Sequence, residues 1–200
     1  MLSDSTFPDN LADGVMEYLT GLKDAIDLLD ITEITAVMDQ LLEVYDRQGF
    51  VYIFGNGGSA STAAHFVNDF NKGIGVGLPK RFRFCCLNDN VATVLALAND
   101  IDYGQVFVEQ LRNFLAPQDV VIAISGSGNS RNVLEAVEYA NHRGVKTIGL
   151  VGFDGGKLKE LVSHCIHVPV HDMQKVEDLH LAMNHVMMSV LKKRLEGRQH

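Results

Sequence analysis

Two groups of histidine and acidic residues in this sequence are spaced to act together on one ligand. His65 and Asp69 are four residues apart, one helical turn, and so share a helix face. Near the other end of the chain, Glu177 and His180 are three residues apart, and His185 lies a further turn and a half on. Imidazole with carboxylate suits Zn²⁺ or another divalent transition metal, and the same groups can transfer protons. Each pair alone is more typical of an ordinary exposed helix face than of a site.

A loop of serine and glycine offers a second chemistry, the binding of a compact anion. It follows an apolar run, precedes a helical pattern, and consists of Ser125, Gly126, Ser127, Gly128, Asn129 and Ser130. Its three serine hydroxyls and the backbone N–H groups at the start of a helix are suited to a sugar phosphate. A nucleotide is less favoured, because the loop has neither the lysine of a P-loop nor a G-x-G-x-x-G pattern. Serine and glycine are also common turn residues, so an ordinary turn is the alternative.

An earlier loop has the same position relative to a strand and a helix. In Gly55-Asn56-Gly57-Gly58-Ser59, Asn56 and Ser59 supply donors, and Gly57 and Gly58 let the backbone approach a ligand closely. The carboxyl ends of parallel strands meet at one edge of a sheet, where ligands of such folds bind. We therefore expect both loops to line one site for a phosphosugar.

The order of the patterns predicts an α/β fold with a doubly wound, five-stranded parallel sheet flanked by helices. The strands are predicted at residues 50–54, 81–87, 119–124, 145–151 and 163–169. Helical patterns at 59–70, 90–98, 103–114, 130–143 and 174–195 separate or follow them, with a short helix ending near residue 162. Two further helices, 10–28 and 31–48, form an N-terminal extension.

The first of these N-terminal helices carries an apolar face before any strand has begun. Leu11, Val15, Leu19, Leu22 and Ile26 recur on it at helical spacing. A sheet of the same subunit offers this helix little surface to cover. We therefore expect residues 10–48 to take part in a homo-oligomer.

Composition sets the class of protein. With 200 residues, 46% of them hydrophobic, the chain can form one domain over residues 1–200. A net charge of −8 and a pI near 5.4 argue against nucleic-acid or membrane-surface partners. The sequence shows neither a signal peptide nor a membrane-spanning run, which predicts a cytoplasmic protein.

Together these motifs resemble the sugar isomerase (SIS) domain, and within it the phosphoheptose isomerases. The resemblance covers about residues 10 to 195, and several separated motifs agree in order. The residues that carry it are the Gly55–Ser59 loop, His65, Asn99-Asp100, the Ser125–Ser130 loop, and Glu177, His180 and His185 on the last helix. Such enzymes interconvert sedoheptulose 7-phosphate and D-glycero-D-manno-heptose 7-phosphate, so the resemblance implies an aldose–ketose isomerase.

The resemblance also implies roles for the matched positions. The phosphate would be held by Ser59, Ser125, Ser127 and Ser130. The sugar would be lined by Asn56, Gly57, Gly58, Asn99 and Asp100. A zinc site that doubles as the catalytic centre in the family would correspond to His65, Asp69, Glu177 and His185. The family members are tetramers, which implies a homotetramer here.

Two of the four metal positions depart from the family pattern, which has glutamate at 69 and glutamine at 177. The shorter Asp69 sets its carboxylate back by about 1 Å, a misplacement that can cost about 100-fold in rate. The carboxylate of Glu177 adds negative charge. The expected catalytic groups are Asp69 or Glu177 as base and His185 as acid. The alternative is a non-catalytic SIS protein that binds a sugar phosphate as an adaptor or regulator.

Overall fold

The computed structural model describes residues 10–199, and the remaining ends of the predicted domain, residues 1–9 and 200, lie outside the described residues. Its sheet has five parallel strands in the order β2-β1-β3-β4-β5. The strands are β1 Val51–Gly55, β2 Phe84–Cys86, β3 Val120–Ser125, β4 Lys146–Val151 and β5 His164–His167. The predicted doubly wound parallel sheet is therefore confirmed.

Eight α-helices accompany the sheet within the described residues. They are α1 Leu11–Asp27, α2 Ile31–Arg47, α3 Gly58–Asn68, α4 Val91–Asp100, α5 Val108–Phe114, α6 Arg131–His142, α7 Gly156–Leu161 and α8 Met173–Glu196. A π-helical turn, Asp69–Ile74, continues α3, and a 3-10 turn, Tyr103–Gln105, precedes α5. None of these helices is both long and apolar enough to cross a membrane.

Alternate residues of the strands point into two apolar cores, one on each face of the sheet. On one face Ile53 and Ile122 pack with side chains of α2, α3 and α8, among them Phe66. On the other face Phe54 and Val121 pack with side chains of α5, α6 and α7. Because α3 and α6 cover opposite faces, their N-termini diverge where β1 and β3 end.

The strand order places this divergence at the topological switch of the sheet. β1 pairs with β2 on one side and with β3 on the other. In open parallel sheets the crevice beyond the carboxyl ends of such strands is where ligands bind. The loops 56–57 and 126–130 both open into it.

Some predicted elements are shorter than the sequence patterns indicated. The strand predicted at 81–87 is reduced to Phe84–Cys86, the three residues that pair with Val51, Tyr52 and Ile53 of β1. The helix predicted at 103–114 is divided, because the Asp102 side chain accepts a hydrogen bond from Gly104 N–H and caps a separate 3-10 turn. Neither difference moves a site residue away from the crevice.

Candidate active site

A cavity of about 180 Å³ lies at the switch point between β1 and β3. Its lining combines the two serine and glycine loops with the start of α8. The lining residues are Asn56, Ser59, Ile124, Ser125, Gly126, Ser127, Ser130, Met173 and Glu177. The structure thus brings both predicted loops to one cavity, and six of the predicted substrate-binding residues are among its walls.

The loop after β3 is held open by its own backbone and by Asn129. Gly128 has φ +63°, and a Cβ at this position would overlap the Gly155 carbonyl, so only glycine fits. The Asn129 amide donates to the Ser127 carbonyl at 2.8 Å and accepts from Lys157 N–H at 3.2 Å. These contacts leave the serine hydroxyls directed at the cavity, with Ser125 Oγ and Ser130 Oγ 3.3 Å apart.

Asn56, in the loop after β1, is fixed by two neighbours. Its amide exchanges reciprocal hydrogen bonds with the Asn132 amide, both 2.9 Å long. The Tyr103 hydroxyl donates to Asn56 Oδ1, also at 2.9 Å. The sequence did not single out Asn132 or Tyr103, yet these residues join α6 and the 3-10 turn to the cavity wall.

Two helix N-termini face this cavity and favour an anion. α3 begins at Gly58 and α6 at Arg131, directly after the two loops. Ser130 is the N-cap of α6, but its side chain does not cap the helix, so its hydroxyl can donate to a ligand. Backbone N–H groups and the helix dipole at both ends favour a phosphate.

Glu177 contributes a carboxylate to the same cavity. It packs on the first residue of α3, where a Cβ on Gly58 would overlap the Glu177 carboxylate. The side chain is half-buried. Its carboxylate therefore forms part of the cavity wall, beside the serine loops.

The second cluster joins α3 to α8. His65 Nε2 and His185 Nε2 lie 3.0 Å apart, and Asp69 Oδ2 lies 3.3 Å from the first and 3.5 Å from the second. The histidine side chains are 42% and 52% exposed, and that of Asp69 is 13% exposed. The three residues that the sequence placed on two distant helices therefore meet on one open face.

These separations match the needs of a bound metal. Ligand atoms at about 2.0–2.1 Å from a tetrahedral Zn²⁺ are about 3.3–3.4 Å from one another. The three observed distances are close to that value. Two imidazoles and one carboxylate with a free position are also the donor set of catalytic zinc sites. Among the described residues this trio is the group that could hold a metal, and Glu177 is not part of it.

The π-helical turn begins at Asp69 and is anchored to the sheet. Asn71 within it donates to the Phe84 carbonyl and accepts from Phe84 N–H, each at 2.9 Å. On the other side, the Asn184 amide donates to Asp69 Oδ2 at 2.7 Å. π-turns inside helices are frequent at functional sites, and this one starts at the carboxylate of the cluster.

Asn99 and Asp100 stand apart from both groups. They are the last two residues of α4, they are exposed, and the Asn99 amide donates to Asp100 Oδ1 at 2.8 Å. They do not line the cavity in the described chain. Their role in sugar binding stays a prediction, as does the role of Glu177 as a metal ligand.

Comparison with known proteins assigns the family. The family model described as "SIS domain" matches residues 16–152. The chain belongs to the SIS domain family. The matched SIS segment includes both loops of the cavity together with His65 and Asp69, whereas α8, which carries Glu177 and His185, lies beyond it.

Within the SIS family the resemblance is to phosphoheptose isomerases, as the sequence predicted. The protein of that name from Helicobacter pylori (strain Shi470) is 37% identical over 158 residues, which cover 79% of this chain and 82% of the relative. The one from Thermodesulfovibrio yellowstonii is 36% identical over 166 residues, covering 81% and 80%. The structure of the phosphoheptose isomerase from Neisseria gonorrhoeae superposes with a TM-score of 0.84 at 26% identity, covering 92% of this chain and 100% of that one.

The SIS motifs did not point to one residue that the structure brings to the cluster, Asn184. It follows the buried positions His180 and Met183 on the inner face of α8 and is itself fully buried. An amide on the apolar stripe of a helix is an unusual choice, because a buried polar group needs a partner. The position of this asparagine on the apolar stripe of α8 could therefore have been noticed in the sequence.

Proposed function

We propose that this chain interconverts sedoheptulose 7-phosphate and D-glycero-D-manno-heptose 7-phosphate. The observation that carries the proposal is the pairing of a serine-lined cavity at two helix N-termini with a His–Asp–His cluster on α3 and α8. The phosphoheptose isomerases among the relatives support it, since they cover most of this chain at 36–37% identity.

The spacing of the two subsites suits a long sugar phosphate. On α3, Ser59 of the cavity is six positions before His65 of the cluster, which corresponds to about 9 Å of helix rise. On α8, Glu177 is eight positions before His185, or about 12 Å. A heptose 7-phosphate has its phosphate at one end and its reacting C1 and C2 at the other. The phosphate would occupy the cavity, and the C1–C2 end would reach toward the cluster.

The side chains present can perform the proton transfers of isomerisation. A base removes a proton from C1 of the ketose and returns it to C2, while a second group moves a proton between O1 and O2. The base is Asp69, or Glu177 once its side chain has turned from the phosphate cavity toward the cluster, and the proton carrier between the oxygens is His185. The serine hydroxyls and the N-termini of α3 and α6 bind and orient the phosphate, so that the reacting end is presented in one position.

A divalent transition metal, Zn²⁺ or a similar ion, belongs to this proposal. It would be held by His65, Asp69 and His185, whose donor atoms have suitable types and separations. When bound, such an ion supplies a Lewis acid that polarises a sugar carbonyl. Glu177 would join the ligands only after its side chain turned away from Gly58.

Assembly into a homotetramer also belongs to the proposal. On α1 the side chains of Leu11, Val15, Met16, Leu19 and Ile26 are exposed, and Leu11 is 91% exposed. On α4 no residue is buried, and Val91 and Leu95 are exposed. Apolar helix faces of this extent favour contact with further copies of the chain. The cytoplasmic location stays a prediction from the sequence.

The test follows the conversion of sedoheptulose 7-phosphate by ¹H NMR, with added Zn²⁺ and with chelator. We expect the aldose signals to grow with Zn²⁺ and to stop growing with chelator. The variants Asp69→Asn and Glu177→Gln identify the base. We expect kcat to fall by about 100-fold or more in the variant that lacks it. Glu160→Gln, an exposed substitution on α7, is the matched control.

Two results would count against the proposal. Full activity in the presence of chelator would show that the reaction needs no metal. An absence of turnover, combined with a melting temperature that rises with the sugar phosphate, would favour the non-catalytic binding protein instead, because the cavity would then bind without chemistry.

A further inference from the structure

Asn184 is a buried amide that contacts the candidate metal site from inside the protein. Its side chain has no exposed surface, and its Nδ2 donates to Asp69 Oδ2 at 2.7 Å. Its Oδ1 has no hydrogen-bond partner among the described residues. Leaving a buried amide oxygen unpaired costs stability, so packing alone does not favour asparagine at this position of α8.

The contact selects one oxygen of Asp69 and directs it to the histidines. Aspartate χ2 is broad and roughly two-fold, so the carboxylate can turn unless a partner fixes it. Asn184 reaches Oδ2 from the buried side, while His65 and His185 approach the same oxygen from the open side at 3.3 and 3.5 Å. Among residues 10–199 the other oxygen, Oδ1, accepts one longer bond, 3.3 Å from the Asn68 amide.

The arrangement on α8 explains why two adjacent residues serve one carboxylate. Successive helical residues point about 100° apart, so Asn184 faces the core and His185 faces the opening. Both nonetheless converge on Asp69 Oδ2 because the π-helical turn brings that residue against α8. An amide also donates a hydrogen bond without adding charge, and so leaves the negative charge of Asp69 available to a cation.

We infer that Asn184 is a positioning residue that fixes Asp69 Oδ2 for metal binding and for proton transfer. The inference rests on the proposed metal-dependent isomerase and adds a residue that does not itself touch the sugar. Hydrogen-bond partners of metal-binding carboxylates typically affect metal affinity or activity by about 10- to 100-fold. Asn184 does not line the phosphate cavity, so its loss should not alter phosphate binding.

The experiment compares Asn184→Ala with Leu191→Ala, which shortens another buried side chain of α8 two turns further on. Co²⁺ serves as the probe, since its visible absorption reports the geometry of its ligands. In Asn184→Ala we expect Co²⁺ to bind about 10- to 100-fold more weakly with an altered spectrum. We expect kcat to fall by a similar factor and KM to change by less than about twofold. Leu191→Ala should lower the melting temperature and leave spectrum and kcat unchanged.

The outcomes separate this inference from the proposed function. Unchanged Co²⁺ binding and kcat in Asn184→Ala overturn the inference and leave the isomerase intact. If the unaltered protein turns over substrate but binds no Co²⁺, the metal proposal fails. In that case an unchanged kcat in Asn184→Ala also overturns the inference about Asn184. A protein with neither Co²⁺ binding nor turnover overturns both. Should Asn184→Ala not fold, Asn184→Ser decides by the same criteria, because its hydroxyl is too short to reach Asp69.

Discussion

Asp69 is the residue at which the two halves of the cluster meet. The sequence placed it one turn after His65, and the structure adds contacts with His185 and Asn184 from a helix more than a hundred residues away. The pairing with His65 was predictable from helical periodicity. The contact with His185 on α8 was implied only by the resemblance to the phosphoheptose isomerases, since no local pattern specifies which helices pack together.

His180, also on α8, has a role in stability that differs from the role of His185. It is 1% exposed, and its Nε2 donates to the Val151 carbonyl at 3.2 Å. Burial lowers the pKa of His180 to about 4 from the usual 6.5, and His167 nearby also disfavours the charged form, while the Val151 carbonyl partly opposes this shift. His180 is therefore neutral in the folded protein at neutral pH.

This burial predicts a pH dependence of stability. Since the folded pKa lies below the unfolded one, the unfolded chain takes up the proton first as the pH falls. The stabilisation is present above about pH 6.5 and is lost progressively toward pH 4. Between pH 7 and pH 5 we expect His180 to account for a loss of about 2 kcal/mol in the free energy of unfolding.

Urea unfolding at the two pH values measures this loss. In His180→Gln this part of the pH dependence should be absent, whereas His142→Gln, at an exposed position of α6, should keep it. An equal pH dependence in His180→Gln and the unaltered protein would show that His180 does not cause it.

Among the elements, the π-helical turn Asp69–Ile74 was not predicted from the sequence. The pattern of residues 59–70 predicted a continuous helix, and α3 does run to Asn68. The wider turn that follows depends on Asn71, whose amide pairs with both backbone groups of Phe84. A bond between residues thirteen positions apart leaves no local periodic signal, so the turn could not be predicted.

Loss of the Asn71 anchor should therefore loosen the turn. In Asn71→Ala two hydrogen bonds to β2 are removed, and we expect the free energy of unfolding to fall by about 1–3 kcal/mol. Because Asp69 opens the same turn, Co²⁺ affinity should fall as well. Urea unfolding and Co²⁺ titration measure the two effects. Asn113→Ala, which changes an exposed asparagine of α5, serves as the control. If Asn71→Ala were as stable as Asn113→Ala, the hydrogen bonds of Asn71 would not stabilise the turn.

At the scale of the whole molecule, the sequence was most informative about architecture. Alternating strand and helix patterns predicted the parallel sheet, and the switch point between β1 and β3 then placed the loops 55–59 and 125–130 at one crevice. The predicted sugar contacts Asn99 and Asp100 lie outside that cavity, on a helix with no buried residue. The apolar residues exposed on α1 and α4 are those that the proposed tetramer would cover.

The assembly can be tested on α1 alone. Leu19 is 53% exposed on the apolar face, and we expect Leu19→Glu to shift the proposed tetramer toward the 22.0 kDa monomer, because a charge cannot be buried there without a partner. Light scattering after gel filtration measures the mass. Asp24→Lys changes charge by two on the polar face of the same helix and should leave the mass unaltered. An unchanged mass in Leu19→Glu would exclude this face from the interface.

The proposed isomerase is tested most directly by the conversion of sedoheptulose 7-phosphate in D₂O, followed by ¹H NMR with the unaltered protein and with Asp69→Asn. We expect the Zn²⁺-loaded protein to form the aldose with deuterium at C2, because the base can exchange the transferred proton with solvent. We expect Asp69→Asn to be slower by about 100-fold or more. Unimpaired turnover in Asp69→Asn, or no turnover of this sugar by the loaded protein, would contradict an isomerase centred on His65, Asp69 and His185.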